Sequence, residues 1–266
     1  MIIEVFKRWL HWGEDQILHR IVPRLLRSYL LWNNNWYGSH AIRYLPIVRF
    51  IRSLRSPISF PILEVGSGDR GIAPFIKRRV VTVDLHFDPE NLKRVGKINL
   101  PIRARIENLP FLDGSFDTAI AVDLFEHLTA FQREIAIHEL FRVAKKNVVV
   151  AVPCGKKAAD IEGILDLFHQ KRFGVSNKWL VEHKKNGLPE ADKLLETFKN
   201  QRHFTKIKVE SNTPLWLWFT LEALEIVVSR NYFRRIMTCW FVDIASRWKP
   251  LNAYRQIFYI QLSENK

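Results

Sequence analysis

A short apolar run that ends in a glycine-rich turn constrains this chain more than any other segment. Residues 61–65 read P-I-L-E-V, and Gly66-Ser67-Gly68 follow directly. Glycine accepts the backbone angles of a sharp turn, and without a Cβ it lets a ligand approach closely. A second apolar run ends in Asp84, which follows the first run at the spacing of about 20 residues seen in nucleotide-binding folds. The pattern predicts a parallel sheet that binds a nucleotide-like ligand.

The middle of the chain alternates between strand and helix patterns. Further runs typical of strands occur at residues 102–106, 116–122 and 147–152. We expect a helix over residues 70–78, and residues 131–143 have the apolar spacing of a second helix. This alternation favours an α/β fold whose mostly parallel sheet carries helices on both faces. We therefore predict that residues 58–155 form the ligand-binding half of the molecule.

The two flanks of the chain have a different composition. The net charge is +14, and the basic excess lies in residues 1–57 and 156–266, whereas residues 58–155 are nearly neutral. All nine tryptophans lie in these flanks. Basic side chains beside indole rings are typical of anionic membrane surfaces and of nucleic-acid surfaces. A basic protein with tryptophan in its core is a third interpretation, and composition leaves all three open.

Apolar spacing also predicts the elements of the flanks. In the N-terminal flank we expect an amphipathic helix over residues 2–30, a turn at Asn33-Asn34-Asn35 and a basic helix over residues 46–55, with Pro46 in its first turn. In the C-terminal flank we expect helices over residues 158–170, 190–201 and 214–247, a loop over residues 174–189, and strands at Phe204–Val209 and Ile257–Leu262.

Several protein classes are not expected. Cys154 and Cys239 are far apart, which predicts neither a disulfide framework nor a metal-binding pair and favours a reducing compartment. The N-terminus lacks the apolar core and cleavage site of a signal peptide, and no uncharged apolar run reaches about 18 residues. We therefore expect a cytoplasmic protein that could lie peripherally on the inner membrane face.

Four motifs in order resemble the class I, Rossmann-like superfamily of S-adenosylmethionine (SAM)-dependent methyltransferases. They are I-L-E-V-G-S-G at 62–68, E-N-L-P-F at 107–111, D-L-F-E-H-L at 123–128, and F-R-V at 141–143 with Val152-Pro153. Glu64, two residues before the first glycine, is typical of this family and not of nicotinamide enzymes. The resemblance covers residues 58–155. It implies a mostly parallel sheet with its last strand antiparallel, helical N-terminal and C-terminal additions, and SAM as the cofactor.

The resemblance also implies roles for individual residues. Glu64 would orient the glycine turn, Asp84 would bind the ribose and Leu85 would pack on the adenine. The residues that would contact the cofactor are Glu64, Gly66, Ser67, Gly68, Asp84, Leu85, Ile106, Glu107, Asp123 and Leu124. Arg105 departs from the family, which often has an acid there, so this side chain is not expected to accept a hydrogen bond from adenine.

His127 is the candidate catalytic residue, because by the resemblance it points towards the acceptor pocket. Methyl transfer needs mainly proximity and alignment, and a base helps only when the acceptor must lose a proton. Histidine can accept that proton near neutral pH, although a residue that only packs at a helix end would fit the sequence as well.

A second polar cluster follows the fifth strand, where this family inserts elements that bind the acceptor. The cluster comprises His169, Arg172, Trp179, Glu182 and His183, and we expect it to contribute to the acceptor site or to a lid. The residues that we assign there to the acceptor are His169, Arg172, Trp179 and His183. A solvated polar loop is the alternative. No metal site is predicted, because the spacing of His169, Glu182 and His183 matches no known metal pattern.

The predicted function is SAM-dependent methyl transfer to a small-molecule, glycan or lipid-linked acceptor, with an anionic membrane surface as a further partner. The alternatives are a nucleic-acid or protein methyltransferase and a non-catalytic partner protein with the same fold. Nucleic acid is not expected, because Asp123-Leu124-Phe125-Glu126 stands where amino-group-methylating enzymes present an N-P-P-Y-like tetrapeptide. The sequence indicates neither the oligomeric state nor the acceptor.

Overall fold

The computed structural model describes residues 38–54, 61–69, 71–76, 78–95, 98–201, 204–227 and 241–263. The predicted helix over residues 2–30 and the asparagine turn lie outside these residues. The same holds for five of the tryptophans, namely Trp9, Trp12, Trp32, Trp36 and Trp240.

A seven-stranded sheet forms the centre of the molecule. Its strands are β1 (Ile62–Val65), β2 (Val80–Asp84), β3 (Asn99–Arg103), β4 (Phe116–Val122), β5 (Ala144–Pro153), β6 (Phe204–Pro214) and β7 (Ala253–Leu262). The spatial order is β3-β2-β1-β4-β5-β7-β6. Strands β1 to β5 pair in parallel, and β7 lies antiparallel between β5 and β6. The predicted fold class, a mostly parallel Rossmann-like sheet with its last strand antiparallel, is therefore confirmed.

Helices cover both faces of the sheet. They are α1 (Gly38–Ser53), α2 (Ala73–Ile76), α3 (Pro89–Val95), α4 (Ala130–Val143), α5 (Gly155–Phe173), α6 (Lys178–Asn186), α7 (Ala191–Asn200) and α8 (Leu215–Val227). A 3-10 turn at Phe125–His127 follows β4, and residues 241–245 are also helical. Within the described part of the chain, no helix combines the length and apolarity needed to cross a bilayer.

The sheet separates two apolar layers because successive side chains of a strand point to opposite faces. Ile62 of β1 packs in the layer that contains α1, whereas Leu63 and Val65 pack in the layer that contains α4. Every residue of β4 is buried, as expected for a strand covered on both faces. This central position holds the carboxyl ends of β1 and β4 side by side.

Helix α1 corrects the predicted position of the basic helix. It begins at Gly38, so Pro46 lies in its interior and not in its first turn. A proline lacks the N–H that would bond to the carbonyl four residues earlier, which here is that of Ile42. The side chain of Asn212 in β6 donates a hydrogen bond to this Ile42 carbonyl at 3.3 Å. A tertiary contact thus replaces the bond that the proline removes.

Four other boundaries differ from the predictions. The third strand is Asn99–Arg103 and not residues 102–106, and the helix expected over residues 70–78 is the single turn α2. The strand expected to end at Val209 continues to Pro214, and the described part of the predicted helix over residues 214–247 comprises α8 and residues 241–245.

The largest difference is α6, which lies in the segment predicted to be a loop. The side chain of Asn177 caps its N-terminus by accepting a hydrogen bond from the Trp179 amide, and Gly187 ends it at φ 71°. Only Leu180 and His183 of this helix are buried. Such a short and polar helix is stabilised by its cap and by packing, which residue spacing does not reveal.

Candidate cofactor and acceptor site

A cavity of about 1020 Å³ opens at the carboxyl ends of β1, β2 and β4. The chain crosses to one side of β1 through β2 and β3, and to the other side through β4 and β5. Ligands of open α/β sheets bind at this point, where the strand order reverses. The cavity extends from the glycine turn after β1 to the 3-10 turn and helix α6.

The glycine turn requires glycine at its first position for two reasons. Gly66 has φ 75°, and a Cβ there would lie 2.9 Å from the Leu124 side chain. The Gly66 amide donates a hydrogen bond to the Val83 carbonyl at 2.8 Å. This bond ties the turn to β2, so the backbone after β1 and the acid at the end of β2 face the same space.

The carboxylate of Asp84 is fixed in place by two backbone amides. Gly68 donates to its Oδ2 at 2.8 Å and His86 donates to its Oδ1 at 3.1 Å. A carboxylate has about four acceptor positions, so two remain for the hydroxyls of a ribose. Asp84 lines the cavity as the sequence predicted.

Glu64 supports the turn from behind and does not line the cavity. Its side chain is fully buried, and its Oε2 accepts a hydrogen bond from the Ile72 amide at 2.7 Å. Burial raises the pKa of Glu64 to about 7, and the bond from Ile72 opposes that shift. This placement suits the expected role of orienting the loop, but not a direct contact with the cofactor.

The end of the cavity next to Leu85, where the resemblance places the adenine, combines apolar and polar side chains. Leu85 is 49% exposed at its rim, and Ile106 is buried beneath. Glu107 accepts a hydrogen bond from the Gln132 side chain at 2.8 Å and pairs with Arg105 at 3.4 Å. Burial would raise the pKa of Glu107, but these hydrogen bonds and the Arg105 charge lower it below its usual range.

These residues fit SAM. Gly66 and Gly68 line the cavity without a side chain, the Asp84 carboxylate has acceptor positions left, and an exposed leucine borders the space next to it. Gly66, Ser67, Gly68 and Asp84 would hold the methionine and ribose parts, with Leu85 and Ile106 beside the adenine. When bound there, the cofactor would supply the methyl group on a sulfonium.

Asp123 is placed differently from the expected cofactor contact. Both of its oxygens bond to Arg255 of β7 at 2.5 Å, and Arg43 of α1 pairs with it at 2.8 Å. Burial would raise the pKa of Asp123, but the two guanidinium groups lower it below its usual range. Asp123 borders the cavity, yet its charge is already balanced, so it joins the end of β4 to β7 and α1.

His127 lies at the other end of the cavity, where α6 packs on the 3-10 turn. Its Nδ1 bonds to Glu182 at 2.8 Å, and Asn186 donates to its carbonyl at 2.7 Å. The ring of Trp179 meets it edge-on at 5.4 Å between centroids. Burial and the neighbouring His183 lower the pKa of His127, while Glu182 opposes the shift. The ring is therefore largely neutral at pH 7.

The predicted acceptor residues divide into two groups. Trp179 lines the cavity, and His183 is buried behind His127 with its Nε2 3.3 Å from the Nε2 of His127. His169 and Arg172 are not brought to the cavity. The Nδ1 of His169 bonds to the Val175 carbonyl at 2.8 Å, which turns the side chain towards the loop that ends α5.

Other residues of the site were not predicted. Lys178 and Asn186 line the cavity from α6, and Gln132 lines it from α4. Glu182 also lines the cavity from α6, but it belongs to the polar cluster that the sequence analysis identified. Gln132 also closes a capping box with Thr129, and this sequence pattern could have located it. The α6 residues lay in the segment interpreted as a loop.

The match to a known family coincides with this site. The sequence model of a family described as "Methyltransferase domain" matches residues 63–152, which run from β1 to the end of β5. The chain carries a class I methyltransferase domain. The class uses SAM as its methyl donor, so the domain is a SAM-dependent methyltransferase, as the motifs predicted.

Solved methyltransferases share the fold of this domain. A SAM-dependent methyltransferase of Thermotoga maritima, described as a possible histamine N-methyltransferase, has a TM-score of 0.51 at 15% identity and covers 90% of this chain and 99% of its own. Magnesium protoporphyrin IX methyltransferase of Synechocystis with bound SAH has a TM-score of 0.51 at 11% identity, covering 85% of this chain and 84% of its own. At such identities the likeness concerns the fold alone. Among curated proteins, no sequence matches this chain.

Proposed function

We propose that the methyltransferase domain transfers a methyl group from SAM to a small-molecule acceptor that enters the cavity beside His127 and Trp179. The observation that carries this proposal is that one cavity joins the glycine turn and Asp84 to those two residues. Its volume of about 1020 Å³ is at the upper end of the range of about 300–1,000 Å³ for a site that holds one ligand. The cavity also extends beyond the residues that would hold SAM, because Leu128, Trp179 and Glu182 line its far end.

The side chains suggest how the domain would work. Asp84 and the glycine turn would fix SAM, so that its methyl group lies towards the 3-10 turn. Trp179 and Leu128 would exclude water on the acceptor side, since both line that end of the cavity. Alignment of the two reactants supplies most of the rate enhancement in such a displacement.

His127 is the residue that we assign to the acceptor. Glu182 accepts the hydrogen of its Nδ1 and so fixes the tautomer and the plane of the ring. Its Nε2 faces the Nε2 of His183. Both ring nitrogens therefore have polar neighbours. His127 would act on the acceptor through a proton or an ion held at its Nε2.

The test of the cofactor site is a calorimetric titration of the full-length protein with SAM. We expect Asp84→Ala to bind SAM about 10- to 100-fold more weakly, because hydrogen bonds from the ribose to a charged acceptor are lost. The matched control is Asp160→Ala, which changes an exposed acid of α5. Equal affinity of the protein and its Asp84→Ala variant would contradict the proposed site.

A second observation favours an acceptor that is linked to lipid. Trp216 and Trp248 are each about half exposed, and their rings lie 6.3 Å apart between centroids. Arg247 and Lys249 beside them are also exposed. Paired indoles next to basic side chains are typical of proteins that contact anionic lipid.

Flotation with anionic liposomes tests the membrane contact that a lipid-linked acceptor would require. We expect Trp216→Ser with Trp248→Ser to reduce the bound fraction strongly, and Phe131→Ser, which removes an exposed ring from α4, to leave it unchanged. A protein that fails to float at low salt would contradict the membrane contact and leave a freely diffusing acceptor.

A further inference from the structure

Three side chains at the acceptor end of the cavity have the chemistry of metal ligands. One nitrogen each of His127 and His183 and one carboxylate oxygen of Glu126 lie within 4.8 Å of one another. Glu126 and His183 are buried, whereas His127 reaches the cavity. Two imidazoles and a carboxylate are a donor set that binds divalent transition-metal ions in proteins.

The hydrogen bonds of the two rings leave their Nε2 atoms facing each other. His127 Nδ1 is 2.8 Å from Glu182, and His183 Nδ1 is 3.0 Å from Glu162. A carboxylate accepts, so each Nδ1 carries the hydrogen, and a neutral ring then has its lone pair on Nε2. Two lone pairs 3.3 Å apart repel unless a positive charge lies with them. That charge can be a shared proton or a metal ion.

The side chain of Glu126 favours a metal ion over a shared proton between the two rings. Its side chain is 2% exposed, and among the described residues its Oε2 has no hydrogen-bond partner. A buried polar atom without a partner is costly. A proton shared by the two rings would leave this oxygen unchanged, whereas a cation held by both nitrogens would also bind the carboxylate.

The surroundings hold the rings as a metal site requires. Histidine ligands of metals donate their other ring N–H to a carboxylate, which fixes the ring, and Glu182 and Glu162 are placed for this. Tyr254 donates to the same oxygen of Glu162 at 2.6 Å and so fixes the carboxylate. Because His127 lies at the cavity wall, a bound ion would keep a coordination position towards the acceptor space.

We propose that Glu126, His127 and His183 bind one divalent transition-metal ion, with Zn²⁺ as the test ion. The ion's role rests on the proposed function, because it would hold an oxygen or nitrogen atom of the methyl acceptor. Its binding does not depend on that function. The set differs from the one considered in the sequence, since His169 lies elsewhere and Glu182 supports His127.

Metal binding by the full chain tests this site directly. The protein is stripped with a chelator and dialysed against Zn²⁺, and bound metal is measured by mass spectrometry. A parallel titration with Co²⁺ reports ligand geometry by its visible absorption. We expect one tightly bound ion per chain, and about 10- to 100-fold weaker binding in Glu162→Gln. His183→Ala and Glu126→Gln should lose the tight site and the Co²⁺ absorption, whereas His138→Ala, an exposed histidine of α4, should keep both.

Two controls make each outcome decisive. Thermal unfolding is measured for every variant, and the nearly isosteric Glu126→Gln and Glu162→Gln replace His183→Ala if that variant does not fold. SAM titration of the same preparations separates the two proposals. Two results would overturn the metal site: a protein that binds SAM but no Zn²⁺, or folded variants that keep wild-type Zn²⁺ affinity. A proton shared by the two Nε2 atoms would then be the remaining explanation of their contact. Zn²⁺ binding without SAM binding would overturn the proposed function and leave the metal site supported.

Discussion

Three carboxylates at the ends of β1, β2 and β4 define the site, and each is held by hydrogen bonds or ion pairs to its surroundings. Asp84 is fixed by two backbone amides, and Glu64 is buried under the turn that it bonds to. The sequence motifs identified both acids. They did not reveal that Asp123 is already paired with Arg255 and Arg43, because those arginines are distant in sequence and nothing in their local pattern marks them.

The buried carboxyl of Glu64 should make stability depend on pH. Its pKa is raised from 4.5 to about 7 in the folded state. The folded protein therefore holds this proton more tightly than the unfolded chain, and the contribution is full below about pH 4.5 and lost as the pH rises through about 7. We expect the free energy of unfolding to fall, over this window, by up to about 3 kcal/mol more in the wild type than in Glu64→Gln. Urea unfolding at several pH values measures this.

The matched control for Glu64 is Glu134→Gln, which changes an exposed acid of α4. Its pH dependence should follow that of the wild type. If Glu64→Gln also loses stability in parallel with the wild type between mildly acidic and mildly alkaline pH, the carboxyl does not titrate in this range.

Gly66 should tolerate alanine less well than another glycine with a similar backbone angle. Gly66 has φ 75° and a Cβ would meet Leu124, whereas Gly114 has φ 61° and no atom within 4 Å of that position. We expect Gly114→Ala to cost about 1–2 kcal/mol from the backbone alone, and Gly66→Ala to cost about 1–3 kcal/mol more through overpacking. Urea unfolding of both variants gives the comparison, and equal losses would show that Leu124 moves aside at no cost.

Elements are positioned by their caps and by contacts between distant strands and helices. Runs of apolar residues predicted the five parallel strands within a few residues, and helical spacing predicted α4 and α7. Helix α6 was missed because its stability depends on the Asn177 cap and on the packing of Leu180 and His183. Helix α1 was misplaced because a proline signals a helix start, whereas Asn212 compensates for Pro46 in the interior.

The capping box of α4 should make a measurable contribution to the stability of the folded protein. The Thr129 hydroxyl accepts from the Gln132 amide, and the Gln132 side chain bonds back to the Thr129 amide. Thr129→Ala removes the hydroxyl and should cost about 1 kcal/mol. Thr197→Ala in α7 is the control, because its hydroxyl bonds only to the Lys193 carbonyl within the helix and should cost nothing. Thermal unfolding of both variants decides between the cap and a general effect of losing threonine.

At the scale of the whole molecule, one charged cluster joins three parts that are far apart in sequence. Arg255 of β7, Arg43 of α1 and Asp123 after β4 meet beside the cavity, and Asn212 of β6 accepts a further bond from Arg255 at 3.2 Å. These contacts fix the inserted strand β7 against the methyltransferase half. Together with the pairing of β7 with β5, these contacts join the C-terminal flank to residues 58–155.

Loss of the central carboxylate should destabilise the protein strongly. Asp123→Asn leaves Arg255, which is 2% exposed, without its counter-charge, and removing one partner of a buried pair costs about 3–5 kcal/mol. Asp113→Asn is the matched control, because Asp113 pairs with Arg142 at an exposed site and should cost less than about 1 kcal/mol. Urea unfolding compares the two, and similar losses would mean that water screens the Asp123 cluster.

Local sequence patterns were sufficient to predict the α/β class, the strands of the methyltransferase half, the glycine turn and the position of Asp84 at the end of β2. These features depend on neighbours in the chain, such as the apolar run of a buried strand and the glycines of a sharp turn. Three other features became visible only in the folded molecule: the pairing of Asp123 with Arg255 and Arg43, the position of His169 away from the cavity, and the cluster of Glu126, His127 and His183. Those outcomes depend on which surfaces pack together, and packing joins residues that no local pattern connects.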